Sequence, residues 1–519
     1  MTTFTFQKIF SRAAALPLLM MAAMAQGAWA AEPENALTIY SKAEPGAINA
    51  DMYRPVPQSH RVGGYNWQIP GYAIIKQERD IEIGGKRSQI RFSDVAAFID
   101  PTTVSFTSLS DPAGTKVLEQ NYQFDLVDQA KLMERYIDSD ITVEQIVGDK
   151  VESYTGKLIS ADGGSVSLMG NDGSVRVVRA FHNVLYPKLP GGLITRPTLM
   201  WDLAAKKTGT HRAKVTYETS GITWWADYNL VYSDGKDANS GFLDLGAWVS
   251  VINRSGASYD DAKLKLVAGE VNRAPAPAPV GKVYQARKSE MALDSAVAGF
   301  SEKSFFEYHL YTLGRPATLP DNSTKQIELF PAVRGIPVEK KLVYAGLPFG
   351  GYYYDYPVTD ASFGQPVKSV DVYLRLTNSE SNGMGMPLPA GRIRVSKLDT
   401  DDGSLEFIGE DIIKHTPRNE KVQVKLGRAF DVVGERRQVD FKTDSGRKTM
   451  SETVEVKIRN QKKEPVEVIV QERLFRWVNW AITQTSHKWN KEDSRTIHFP
   501  IKVPSEGEVV VTYSVRYTW

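Results

Sequence analysis

Apolar residues recur at every second position through most of this chain. That period commits it to half-buried β-strands, because successive strand side chains point to opposite faces of a sheet. The clearest runs are Val454, Val456, Ile458 and then Val466, Val468, Val470, with charged residues between them and the polar turn Asn460-Gln461-Lys462-Lys463 joining them. This spacing predicts a hairpin with one face in a core. Trp248 to Ile252 leads in the same way through Asn253-Arg254-Ser255-Gly256 to Lys263–Val267, and Val370 to Leu376 runs into Asn378 before the strand Arg392–Val395. Asn and Gly accept the positive φ that turns demand, so they mark the strand ends. The fold class expected is mainly β: several antiparallel, Ig-like β-sandwiches.

Two regions depart from period two. Between Asp125 and Ile137 the apolar residues Leu126, Ala130, Met133 and Ile137 follow helical spacing, with Asp125 placed to cap, which predicts one helix over 125–138. From 141 to 187, three short strands joined by Asp162-Gly163-Gly164 and Asn171-Asp172-Gly173 predict a small barrel. The Ala-Pro tract from Ala274 to Pro279 favours extended polyproline conformation and opens a flexible insertion over 274–304. At roughly 100–200 residues per domain, the 519 residues divide into a signal peptide over 1–30, an N-terminal mixed β domain over 31–200, a central sandwich over 205–345 and a C-terminal sandwich region over 346–519.

The first thirty residues carry Lys8 and Arg12, an apolar run from Ala13 to Ala25 and the small-x-small triplet Ala28-Trp29-Ala30. These are the parts of a secretory signal, too short in its apolar run to span a bilayer. Cleavage after Ala30 is expected, delivering the chain to the periplasm or outer envelope of a bacterium. There is no cysteine, so the mature chain is expected to be neither disulfide-bonded nor a lipoprotein. The chain has 63 Lys and Arg against 61 Asp and Glu. The excess belongs to the signal, and a formally neutral remainder argues against nucleic-acid partners.

The strings Val117–Tyr122, Ala247-Trp248-Val249 through Gly256, Asp260–Gly269, Gly391–Val395 and Arg428-Ala429-Phe430-Asp431 together resemble bacterial exported proteins of the family called domain of unknown function 4139, and distantly the mucoidy-inhibitor-like proteins. The resemblance spans residues 37 to 519 and implies β-sandwich architecture. It carries over no catalytic residues, and the coiled coil of the mucoidy-inhibitor-like relatives has no counterpart here.

Chemistry-bearing patterns are sparse. The seven histidines (His60, His182, His211, His309, His415, His487, His498) lack zinc-site spacing. Ser445-Gly446-Arg447-Lys448 and Lys207-Thr208-Gly209 stand in the wrong order for a penicillin-binding enzyme. Asp399, Asp401 and Asp402 fail calcium-loop spacing and read as a hairpin turn. No metal, cofactor or catalytic residue is expected. The candidate binding residues are aromatic: Tyr352, Tyr353, Tyr354 and Tyr356 among glycines, and Trp477, Trp480 and Trp489 in a second stretch. Their flat, amphipathic rings suit a glycan or an envelope-protein partner. The expectation is therefore a non-catalytic binding or scaffold module. The competing readings are an outer-membrane protein inserting its alternating C-terminal strand Val511–Trp519, and a glycan-active hydrolase.

Overall fold

The computed structural model describes residues 35–41, 48, 52, 69–162, 164–191, 193–269, 271–272, 300–347, 355–361 and 366–519. The expected signal peptide and most of the Pro-rich insertion lie outside them. Of the insertion, 300–304 belongs to the strand Phe300–Phe305. The chain is mostly β, folded into antiparallel sheets that stack as sandwiches.

Three successive four-strand units build the larger part of it. The first is Ser240–Asn253, Tyr259–Ala268, Ala317–Leu319 and Ser323–Ala345. The second is Ser369–Thr377, Gly391–Leu398, Leu405–Ile413 and Lys421–Asp444. The third is Thr449–Asn460, Val466–Arg473, Thr496–Val503 and Gly507–Thr518. In every unit the first strand pairs antiparallel with the fourth, and the second with the third. Each second strand also pairs in parallel with an earlier strand: Asn35–Ser41, Ile222–Asp234 and Ser323–Ala345 in turn.

The first and second strands of a unit therefore never pair with each other. The Val454 and Val466 runs are not a hairpin but an arch, whose strands lie in opposite walls of one sandwich and bury Val454, Val456, Ile458, Val466, Val468 and Val470 between them. The asparagine ending each first strand sets that crossing, and it does so without a positive φ. Asn253, Asn378 and Asn460 are all buried, at 1%, 0% and 0% exposure. Asn253 Nδ2 donates to the carbonyls of Ala257, Leu319 and Pro320. Asn378 Nδ2 reaches those of Met386 and Pro417, and Asn460 Nδ2 those of Glu464 and Pro504. Each Oδ1 accepts a backbone N–H, from Ser255, Gly385 and Lys462 respectively. One side chain thus ties the arch to the proline turn that opens the fourth strand, where Asn322, Asn419 and Glu506 take φ of 52°, 65° and 47°.

The cores do not divide at 200/205 or at 345/346. Strands Gly71–Ile83 and Ile99–Ser108 share a sheet with Gly209–Thr219 and Tyr259–Ala268, so the expected N-terminal and central domains bury one core, from Leu37 to Val424. Ser323–Ala345 contributes Ile327 to Val338 to this core and Leu342 and Tyr344 to the second, which extends to Tyr517. The alternating face of the last strand (Val511, Tyr513, Val515, Tyr517) is wholly inside that second core.

The 141–187 region is an open five-stranded sheet in place of a barrel: Asn183–Leu185 pairs only with Asp140–Val147, and Val175–Arg179 only with Ser165–Met169. The helix is Gln129–Arg135, capped by Asp128 rather than Asp125. Leu126 is drawn into a bridge with Ile194, and Asp125 instead pairs with Lys131 and Arg135. No helix among the described residues is long and apolar enough to cross a membrane.

Candidate functional site

Tyr352, Tyr353 and Tyr354 lie outside the described residues. Tyr356 is 62% exposed and is the second residue of the segment 355–361. Trp477, Trp480 and Trp489 fall in the excursion between the strands Val466–Arg473 and Thr496–Val503, where all three pack against the second core. Trp480 and Trp489 meet at 6.1 Å between ring centroids, Trp480 Nε1 donates to Ser494 O at 2.9 Å, and Lys491 Nζ stands 5.1 Å from the Trp480 ring. Each ring spends its polar handle or its face on a neighbour, as a packed aromatic does. Trp480→Ala should cost about 2–3 kcal/mol, as a partly buried large-to-small change, and Tyr356→Ala less than about 0.5 kcal/mol. Urea midpoints check both values, and equal losses would contradict the assignment.

Beneath the tryptophans is an ionic cluster that sequence reasoning missed. Arg436 Nε donates to Glu472 Oε2 at 2.9 Å and Arg476 Nε to Glu452 Oε2 at 2.9 Å. Tyr513 and Tyr517 hydroxyls donate to Glu472 and Glu452 at 2.5 and 3.1 Å. Arg476 is 1% exposed, with Phe441 and Phe475 rings 4.3 and 5.2 Å from its guanidinium carbon. Its Nη1 donates to the carbonyls of Val358 and Asp360, pinning the segment that begins at Asp355. Burial lowers the Arg436 proton affinity, but Glu472, Tyr513 and Glu452 outweigh it and hold the group above its ordinary range. Burial and the adjacent carboxylates push Tyr513 and Tyr517 well above theirs. The signal was present: Glu452 and Glu472 stand in phase with the valine stripes of their strands, where an apolar residue belongs. A carboxylate there must bring its own cation. With both carboxylates held by fixed donors inside a core, the cluster ties strands together.

A second buried pair, Ser108 Oγ and His211 Nδ1 at 2.9 Å, is 2% and 3% exposed, so it has no approach for a substrate. Asp399, Asp401 and Asp402 form the turn of the hairpin Gly391–Leu398/Leu405–Ile413, with Asp399 Oδ1 and Asp402 Oδ1 accepting from the backbone of Asp401 and Ser404. Among the described residues no three His, Asp or Glu side chains converge as metal ligands would.

The arrangement best formed for recognition is the outer face of the first sandwich. Five adjacent strands present it: Ser323–Ala345, Ser240–Asn253, Ile222–Asp234, Gly391–Leu398 and Leu405–Ile413. Their inward residues, such as Trp224, Ala226, Val249 and Val251, fill the first core. Outward, register places Trp248, Asp227 and Arg392 side by side in one row. Gly246, Asn229, Arg394 and Glu410 form the next. Trp248 is 38% exposed, and a Cβ at Gly246 would stand 3.9 Å from its Nε1, so the indole lies along the sheet over the glycine. Asp227 is 7% exposed, accepting from Ser250 Oγ at 2.8 Å and pairing with Arg394 at 3.8 Å. Gln326 donates to Ser250 at 3.1 Å, and Arg394 also faces Glu410 at 3.6 Å. Ile48, Met52 and Ile69 cover one end of the face at Ile252 and Trp225. The result is one open indole beside side chains already fixed by one another, which is the preorganised surface that recognition needs.

No protein-family model, no curated protein and no solved structure matches the chain.

Proposed function

We propose that this is an exported bacterial envelope protein, of the domain of unknown function 4139 type, that acts without catalysis as a binding module on a rigid sandwich scaffold. The observation that carries the reading is the outer face of the first sandwich, where the exposed Trp248 stands beside a chain of hydrogen bonds and ion pairs running from Gln326 through Ser250, Asp227 and Arg394 to Glu410. Burial of the apolar side of Val511–Tyr517 in the second core favours the periplasmic form over insertion of that strand into the outer membrane. Osmotic shock should release a mature chain beginning at Ala31. Recovery only in detergent-extracted outer membrane would overturn the periplasmic assignment. A photo-crosslinking residue in place of Asn229 should form an adduct in growing cells, whereas one in place of Val151, on the five-stranded sheet, should not. Absence of an adduct at 229 would remove this face as the binding surface.

A further inference from the structure

We infer that the Trp248 face takes a neutral oligosaccharide, one pyranose ring lying on the indole and its hydroxyls meeting the side chains of the neighbouring strands. The inference rests on the binding-module reading above and names its ligand class. Three features of the face select this chemistry.

The first is the geometry of the ring. Trp248 lies over Gly246, which adds no side chain on that side, and its other same-face neighbour on the strand, Ser250, is buried, so the indole keeps 38% exposure. An indole in this attitude offers a negative π-face, which attracts the positively polarised C–H groups of a sugar ring.

The second is the character of the surrounding groups. Neighbouring strands are about 4.8 Å apart, roughly the width of a pyranose. A ring on Trp248 therefore brings its edge over Asp227 and Asn229, and the next residue of the saccharide over Arg392 and Arg394. Asp227 is buried and held by Ser250 and Arg394, so the groups within reach are the arginines, which only donate, and the Asn229 amide, which donates and accepts. A hydroxyl is donor and acceptor at once, and vicinal hydroxyls satisfy planar amide and guanidinium groups in pairs.

The third is the charge. Asp227, Glu410 and Glu328, the last paired in register with Trp248, stand against Arg392 and Arg394, and Arg394 is committed to Asp227 and Glu410. With no cationic excess, the face gives no net attraction to a polyanion. A peptide strand would instead seek free backbone N–H and C=O groups at a sheet edge, whereas Trp248 and Asp227 sit on strands that are paired on both sides. A protein interface would want a contiguous apolar centre, whereas the exposed Ile412 is separated from the indole by Asp227 and Arg392, and Phe242 stands six residues along the strand.

The test is calorimetric titration of the full mature chain with cellohexaose, maltohexaose, xylohexaose and laminarihexaose, and with hexagalacturonate as the acidic comparison. At least one neutral hexasaccharide should bind. Trp248→Ala should weaken that binding by about tenfold or more in a chain that still unfolds cooperatively well above the titration temperature. Trp248→Phe, which keeps a smaller π-face, should fall between. Arg392→Ala should weaken it by about threefold to tenfold. Binding of hexagalacturonate alone, neutral binding indifferent to Trp248→Ala, or no saccharide binding at all would overturn the inference. In the last case, a crosslinked protein at position 229 would leave the face a binding surface and reject only its ligand class. Loss of both signals would reject the face itself.

Discussion

Asn378→Ala is expected to destabilise the protein by about 3–5 kcal/mol, as removal of one buried partner leaves several polar groups unsatisfied at roughly 1–3 kcal/mol each before relaxation. The side chain is fully buried, and its loss orphans the carbonyls of Met386 and Pro417 and the N–H of Gly385. Asn253→Ala and Asn460→Ala belong to the same class, since each asparagine holds the same three-way junction of strand end, arch and proline turn. The aspartate variants separate hydrogen bonding from volume. They keep the acceptor but set a carboxylate oxygen against carbonyls, so they should cost at least as much as alanine. Guanidinium unfolding of the six variants reads this directly. Losses below about 1 kcal/mol would mean that strand pairing alone directs the arches.

The second large effect concerns the buried ion pairs. Glu472→Leu leaves Arg436 charged in the core beside Tyr513, and Glu452→Leu does the same to Arg476. Each single change should cost about 3–5 kcal/mol, whereas removing both partners together, as in Arg436→Met with Glu472→Leu, should recover most of that loss. The asymmetry follows because an uncompensated buried charge is costlier than a matched apolar replacement. A double variant as unstable as the sum of its single variants would show that the two groups act independently. Chemical denaturation followed by tryptophan fluorescence is suitable, since Trp477 and Trp480 pack against this core.

Strand content and the burial of the terminal stripe were legible because period two reports directly on which side of a sheet a residue faces. Partner choice was not. Val454–Ile458 and Val466–Val470 would show the same alternation as a hairpin or an arch, and only the burial of Asn460 between them distinguishes the two. Closure of the 141–187 sheet was illegible for the same reason. The helix was placed too early because Asp125 and Asp128 are equally good caps by type, and the pairing of Leu126 with Ile194 decided between them. The division between cores was illegible because the strand Ser323–Ala345 has no composition change where it passes from one core to the other.

The aromatic search favoured density, and of the dense aromatics Trp477, Trp480 and Trp489 pack against the second core. The informative mark was phase: Trp248 alternates against Val249 and Val251, which are buried, so it had to face outward from a strand whose other side is core. Glu452 and Glu472 carry the opposite mark, charge in phase with the stripe.

The shared strand Ser323–Ala345 has a mechanical consequence. At about 3.3 Å per residue, its 23 residues make an extended bar of roughly 75 Å, the longer part in the first sandwich and the remainder in the second. A torque applied at one sandwich therefore passes to the other through a hydrogen-bonded strand and not through a joint. An object held on the Trp248 face would be carried at a fixed bearing from the tryptophan-capped end, as on the two arms of a caliper that has been locked.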